Sequence, residues 1–179
     1  MILLRRRLLA AGLALPVAAH FPRTSLAQSC ARTLAQTEGP FFKTDTPLRT
    51  SFLEKDARER LVVTGQVLSA QCRPVPNALL EFWHADEFGE YDNKGYRYRG
   101  HQHADAQGRY RLETIVPAEY PGRARHIHVK VQAPGRRVLT TQLYFPNQPG
   151  NRRDGIYRPE LEMKMTQPDQ GAFDFVVEA

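Results

Sequence analysis

From Leu61 onward the chain divides into short runs rich in Val, Leu and aromatic residues, each closed by turn-forming residues. No stretch of useful length carries a 3.6-residue apolar period. This punctuation constrains the fold most, because a half-buried strand repeats every second residue and an amphipathic helix every third or fourth. Six strands are expected: Leu61–Ser69, Ala78–Ala85, Arg109–Val116, His126–Ala133, Val138–Phe145 and Phe173–Val177. In Arg109–Val116 the alternation is explicit, with Tyr110, Leu112 and Thr114 on one face and Arg109, Arg111 and Glu113 on the other. Asp92-Asn93-Lys94-Gly95, Asp105-Ala106-Gln107-Gly108 and Ala133-Pro134-Gly135 supply turns. The pattern predicts an all-β chain, an antiparallel β-sandwich over residues 61–179, preceded by an irregular segment over 28–60. No internal repeat or low-complexity tract interrupts it.

The length of 179 residues suits a single core, and 25% charged with 41% hydrophobic residues excludes a disordered chain. The net charge of +6 does not indicate a nucleic-acid partner. Residues 1–27 hold four arginines and no acid, which leaves 21 bases against 19 acids in residues 28–179. Those first 27 residues read as an export signal. Arg5-Arg6-Arg7 precede an apolar run from Leu8 to Ala19, and Ser25-Leu26-Ala27 places small residues at a cleavage site, with Val17-Ala18-Ala19 as an alternative. Arg-Arg-x-Leu-Leu over residues 5–9 resembles a twin-arginine signal. The run falls short of the ~20 apolar residues that span a bilayer. The expectation is a periplasmic or secreted protein with no stable membrane insertion once the leader is cut. An oxidising compartment would let Cys30 and Cys72 pair; two unrelated buried thiols are the alternative.

His126-Ile127-His128 carries the first chemical signal. On a strand, residues i and i+2 project from one face, so both imidazoles can reach one point, although surface histidines on a strand would look the same. His101-Gln102-His103 has this spacing in loop-like sequence and reads as a solvated pair. No Cys-x-x-Cys is present, so a structural zinc site is poorly supported. Tyr91 and Tyr120 lie in turn-like sequence and, taken alone, read as half-buried tyrosines rather than as ligands. Met163 and Met165 read as packing.

Together these residues resemble the intradiol ring-cleavage dioxygenases. The resemblance runs from Thr37 to Phe145. It includes Thr37-Glu38-Gly39-Pro40-Phe41-Phe42, then Glu81-Phe82-Trp83-His84-Ala85-Asp86 with Gly89-x-Tyr91, and Arg99-Gly100. It continues through Asp105-x-x-Gly108-x-Tyr110, Thr114-x-x-Pro117-x-x-Tyr120, Arg123-x-x-His126-x-His128 and Leu139-Thr140-Thr141-Gln142. The resemblance implies non-haem Fe(III) held by Tyr91, Tyr120, His126 and His128. Hard Fe(III) favours anionic phenolates, and a phenol with an ordinary pKa near ~10 ionises when the metal outcompetes its proton.

By the same resemblance, a catechol-type substrate binds through both oxygens and displaces Tyr120, and O2 opens the ring to a cis,cis-muconate-type diacid. Arg123 stabilises charge on the substrate ring, Gln142 orients groups near the metal, Pro40 approaches the substrate pocket, and Trp83 and His84 pack beneath Tyr91. The chain also departs from the family pattern. Only five residues separate Tyr120 from His126, which implies a more open pocket and puts the placement of Arg123 in question. The helical N-terminal dimerisation domain of the catechol enzymes has no counterpart in the sequence, which leaves a homo-oligomer open. Two other classes stand beside this reading: a non-catalytic β-sandwich binding module, and a periplasmic metal-binding protein using His126 and His128 alone. Any one of Arg97, Arg99, Arg111 or Arg125 could meet a substrate carboxylate.

Overall fold

A computed structural model of the chain describes residues 29–179 except 56 and 58, so the leader reading lies outside the described residues. The expected strands form, each bound within two residues of the expected one. They are β1 (Arg60–Ser69), β2 (Leu79–Trp83), β4 (Arg109–Ile115), β5 (His126–Gln132), β6 (Leu139–Tyr144) and β9 (Phe175–Val177). Three more were not read from the sequence: β3 (Arg99–His103), β7 (Lys164–Gln167) and β8 (Gln170–Ala172). Because β3 pairs antiparallel with β2, His101 opposite Glu81, the His101-x-His103 pair sits on a strand and not in a loop. Its sequence, RGHQH, lacks the β-branched and aromatic residues that announce a strand, and its partner supplies what propensity does not.

Two sheets build a sandwich. One runs β4-β1-β8-β7, with β9 also on β1, and the other runs β3-β2-β5-β6. The second sheet is antiparallel throughout. The first is antiparallel except where the C-terminal return lies parallel to β1 in two short pieces, β8 at Val62–Thr64 and β9 at Val67–Ser69. Leu61, Val63 and Val67 of β1, Leu112 of β4, Leu80 and Phe82 of β2, and Ile127, Val129 and Val131 of β5 meet between the sheets, all buried. Burying a side chain of this kind stabilises the fold by roughly 1.5–3 kcal/mol.

Strand β5 is buried on both faces. Its inner face is the apolar core. Its outer face, carrying His126, His128 and Lys130, lies under the irregular N-terminal segment. That segment bonds to the edge strand β6 through Gln36 N–H to the Thr140 carbonyl (2.8 Å) and Gln142 Nε2 to the Thr37 carbonyl (2.9 Å). Upstream, Cys30 and Cys72 form a disulfide across a sequence separation of 42 residues, which settles the pairing left open by the sequence. In a chain-entropy account, closing a loop of this size contributes ~4 kcal/mol. Among the described residues, no helix is long and apolar enough to cross a membrane.

Candidate metal centre

His126 and His128 project from the outer face of β5, and their Nε2 atoms approach to 3.1 Å. Strand register puts Trp83 of β2 and Gln142 of β6 on either side of His128. Trp83 stacks flat on the His128 ring, with centroids 4.8 Å apart and planes at 5°. The aromatic support expected beneath Tyr91 therefore lies beneath His128. His84 stands further off, stacked on Tyr98 and bonded to Thr114.

Tyr91 arrives on the long connection from β2 to β3, and its hydroxyl lies 3.5 Å from His126 Nε2. Tyr120 arrives on the loop after β4, its ring edge-on to Tyr91 with centroids 5.8 Å apart and 5.7 Å from the ring of His126. The four expected ligand side chains thus converge from three separate chain segments. The His101–His103 pair is elsewhere, with its rings 6.4 Å apart and His101 Nδ1 near the Thr46 hydroxyl at 3.3 Å.

The N-terminal strap roofs this cluster. Gly39, at φ +72°, leaves room where a Cβ would sit 3.4 Å from His128 Cε1. Phe41 stacks on Tyr91 with centroids 4.3 Å apart. Pro40, expected near the substrate, lies between these two contacts and is exposed. The buried Arg99 ties the strap down, donating to the carbonyls of Phe41 and Asp92. Arg99 is therefore occupied structurally. Arg97 is engaged by Glu54, Asp86 and Glu87, and Arg111 by Glu113.

Arg123 and Gln142 reach the same place. Arg123 Nη1 donates to the Tyr120 hydroxyl at 3.2 Å, and Nη2 donates to Gln142 Oε1 at 2.5 Å. Gln142 Oε1 also accepts from the Tyr144 hydroxyl at 2.9 Å, so its amide orientation is set on both sides. Tyr144 and Asp154 belong to this network and had no signal in the sequence. Asp154 lies in the polar run Asn151-Arg152-Arg153-Asp154-Gly155, and only the folded chain shows what it faces. Beside the cluster opens a cleft of about 410 Å³, lined among others by Glu119, Tyr120, Gly122, Arg123, Arg153 and Asp154.

Burial dominates the electrostatics. It lowers the pKa of His126 to about 4, with the Arg123 charge adding to the effect, and it lowers His128 further, aided by His126. Burial also raises the pKa of Tyr91, with Tyr120 adding to the rise and Arg123 and Arg99 opposing it. For Arg123, burial works against the charge, but Tyr120, Asp154 and Tyr144 outweigh it and hold the pKa above its ordinary value. His126 and His128 are thus neutral imidazoles, and Tyr91 is an un-ionised phenol. The proton on His126 Nδ1 goes to the Ala124 carbonyl at 2.6 Å, which leaves Nε2 as a lone pair aimed into the cluster.

These residues fit a metal ion. Two nitrogen donors each ~2.1 Å from one ion and at roughly a right angle stand ~3 Å apart, close to the 3.1 Å between the Nε2 atoms. A cation here would also favour the ionised form of a phenol that burial alone keeps protonated. Among the described residues no three His, Cys, Asp or Glu gather at one point. A site here must draw on the tyrosines.

The buried histidines set a pH dependence for the metal-free protein. His84 donates from Nδ1 to the Ala85 carbonyl and accepts from Thr114 at Nε2, both at 2.7 Å, and burial lowers its pKa to about 4. Unfolded, it binds a proton near the ordinary value of ~6.5, so the unfolded state holds more protons between ~4 and ~6.5 and stability falls as pH drops through that window. The slope is up to ~1.4 kcal/mol per pH unit from His84, and His126 and His128 steepen it. Urea midpoints of the apoprotein should fall from pH 7 to about pH 5. A midpoint that holds steady over that range would contradict the burial argument.

A family model described as Dioxygenase matches residues 37–170. The chain belongs to the intradiol ring-cleavage dioxygenases. Chlorocatechol 1,2-dioxygenase from Pseudomonas sp. strain P51 is 31% identical over 174 residues, covering 79% of this chain and 68% of that one. Protocatechuate 3,4-dioxygenase beta chain from Burkholderia cepacia is 38% identical over 119 residues, covering 56% and 50%. This dioxygenase-family chain thus spans 50% and 68% of the length of those two curated relatives. Among solved structures, the dioxygenase domain of a dioxygenase carbohydrate-binding protein fusion from Streptomyces sp. SirexAA-E is 49% identical with a TM-score of 0.80, covering 83% of this chain and 99% of that one. 3-Chlorocatechol 1,2-dioxygenase from Rhodococcus opacus 1CP follows at 28% identity and a TM-score of 0.73, covering 80% and 71%. The sandwich expected from strand punctuation is the fold of this family.

Proposed function

We propose that this protein is a non-haem Fe(III) intradiol dioxygenase that opens a catechol-type ring with O2 to a cis,cis-muconate-type diacid. One observation carries the reading: two neutral imidazoles and two tyrosine hydroxyls, from three chain segments, converge beside an arginine at the edge of a cleft. Tyr91, Tyr120, His126 and His128 would hold the metal. Fe(III) held there would supply a Lewis acid that activates a bound diphenol toward O2.

The chain's own groups do the rest. Tyr120 Oη, half-buried at the cleft, would accept one proton from the incoming diphenol if the metal holds it as a phenolate, and the second proton would leave to solvent in the cleft. Arg123 stays charged throughout and, one hydrogen bond from Tyr120 Oη, offsets the negative charge that gathers on the ring. Gln142 holds the second arm of that guanidinium and bonds the strap through Thr37. Phe41 and Gly39 close the roof and keep water from Tyr91 and His128. The disulfide supports an oxidising compartment, in line with export through the twin-arginine-like leader.

The test is the visible spectrum of the iron-loaded protein, followed by anaerobic addition of catechol. A broad tyrosinate-to-iron band that moves to longer wavelength on addition is the expected result. A protein still colourless after ferric reconstitution would overturn the enzyme reading and favour a binding module.

A further inference from the structure

The five-residue connection from Tyr120 to His126 gives Arg123 little support of its own. Pro121 and Gly122 are exposed, Gly122 sits at φ +80° with no atom within 4 Å of where a Cβ would be, and the guanidinium borders an open cleft. A long side chain in that position would ordinarily sample several rotamers and lose that freedom on being fixed. Yet Arg123 meets four groups at once: Tyr120, Gln142, Tyr144 and, through Nε, Asp154 Oδ2 at 3.0 Å.

Asp154 comes from a different loop, after a 3-10 turn at Pro149–Arg152. Its side chain is fully buried, at 0% exposure. Oδ2 also accepts the Ala124 N–H at 3.0 Å, and Oδ1 accepts the Ile156 N–H at 3.0 Å. Two backbone amides from two segments therefore fix the plane of the carboxylate before Arg123 reaches it. A carboxylate fixed in this way dictates the direction of the guanidinium that bonds to it. We infer that Asp154 is the positioning residue for Arg123, aiming its free N–H groups at the Tyr120 hydroxyl and Gln142 so that the arginine stands pre-set at the diphenol site.

The role of Arg123 in turnover rests on the dioxygenase reading above, but the anchoring itself does not, so two readouts separate them. In the metal-free wild-type protein the Arg123 Nε–Hε resonance should be shifted and exchange slowly with water. In Asp154→Asn, whose amide would present a donor to Arg123 or to Ala124, that resonance should move and exchange faster while the rest of the amide spectrum stays dispersed. A fast-exchanging wild-type resonance would overturn the proposal without any variant.

In the iron-loaded enzyme, Asp154→Asn should lower kcat by ~10–100-fold, as loss of an orienting partner commonly does, with a smaller change in KM. Asp154→Asn/Arg123→Ala should be no slower than Arg123→Ala alone, because Asp154 acts only through the arginine. Multiplying effects would mean a general structural role and would refute the inference. If Asp154→Asn does not fold, Asp154→Glu keeps the charge and displaces the carboxylate by one methylene. It should show the same resonance shift and the same lack of additivity. Should the wild type cleave no diphenol, the dioxygenase reading fails and the resonance still decides the anchor.

Discussion

A His128→Ala protein is expected to bind ferric iron more than ~100-fold more weakly than wild type and to lack the visible band. That exceeds the 10–100-fold typical of removing an outer partner of a metal ligand, because the substitution deletes one of only two nitrogen donors. His128 is buried, with Trp83 stacked on its ring and Gly39 of the strap close to its edge. Iron content after dialysis against a weak chelator, together with the absorbance, measures the effect. His103→Ala is the control. His103 has the same i, i+2 relation to another histidine on the same sheet, but it is exposed and lies outside the cluster. Iron lost equally in both variants would refute the assignment of the site to β5. The same measurement on Tyr91→Phe separates a tyrosinate site from a carrier that needs only the histidines, since a carrier would keep its metal.

Gly65→Ala should cost the fold more than ~3 kcal/mol, above the usual range for overpacking, and is expected to prevent folding at 37 °C. Gly65 lies in the middle of β1, where the parallel strand beside it passes from β8 to β9. A Cβ there would stand 1.8 Å from the Phe173 carbonyl oxygen and 2.7 Å from its carbon, both backbone atoms that no rotamer change can move. The crossing is pinned on both sides, by Phe173 N–H to the Thr64 carbonyl at 2.9 Å and by Gln66 N–H to Asp174 Oδ1 at 2.7 Å. The clash must therefore be relieved by unpairing β8 or β9 from β1. Gly155→Ala, where nothing lies within 4 Å and φ is not positive, should leave stability unchanged within ~0.5 kcal/mol. Chemical denaturation of the two variants decides it, and a Gly65→Ala protein as stable as Gly155→Ala would show that the crossing can move.

Local pattern was enough for the strands that alternate and pack. β1, β4 and β5 were legible within a residue or two because Leu61, Val63 and Val67, then Tyr110 and Leu112, then Ile127, Val129 and Val131 all turn apolar side chains to one side. β3, β7 and β8 were not, since the RGHQH, KMTQ and QGA segments become strands by pairing with a neighbour rather than by propensity of their own. The site divides along the same line. The i, i+2 spacing of His126 and His128, the family motifs and the order of Tyr91 and Tyr120 before them are properties of the sequence.

Which groups face them is decided in three dimensions. Gln142 finds Thr37 across 105 residues, Arg123 finds Asp154 across 31, and Cys30 finds Cys72 across 42. No periodicity links such partners, because a hydrogen bond or disulfide between distant segments depends on how two sheets and their loops close on one another. The sequence by itself therefore determined the sandwich and the paired histidines, through the two-residue repeat of strands and the spacing it imposes, and the tyrosine candidates through the family motifs. The roof over the tyrosine–histidine cluster and the direction of the Arg123 guanidinium belong to the tertiary structure alone, because only chain closure brings the strap and the Asp154 loop to the outer face of β5.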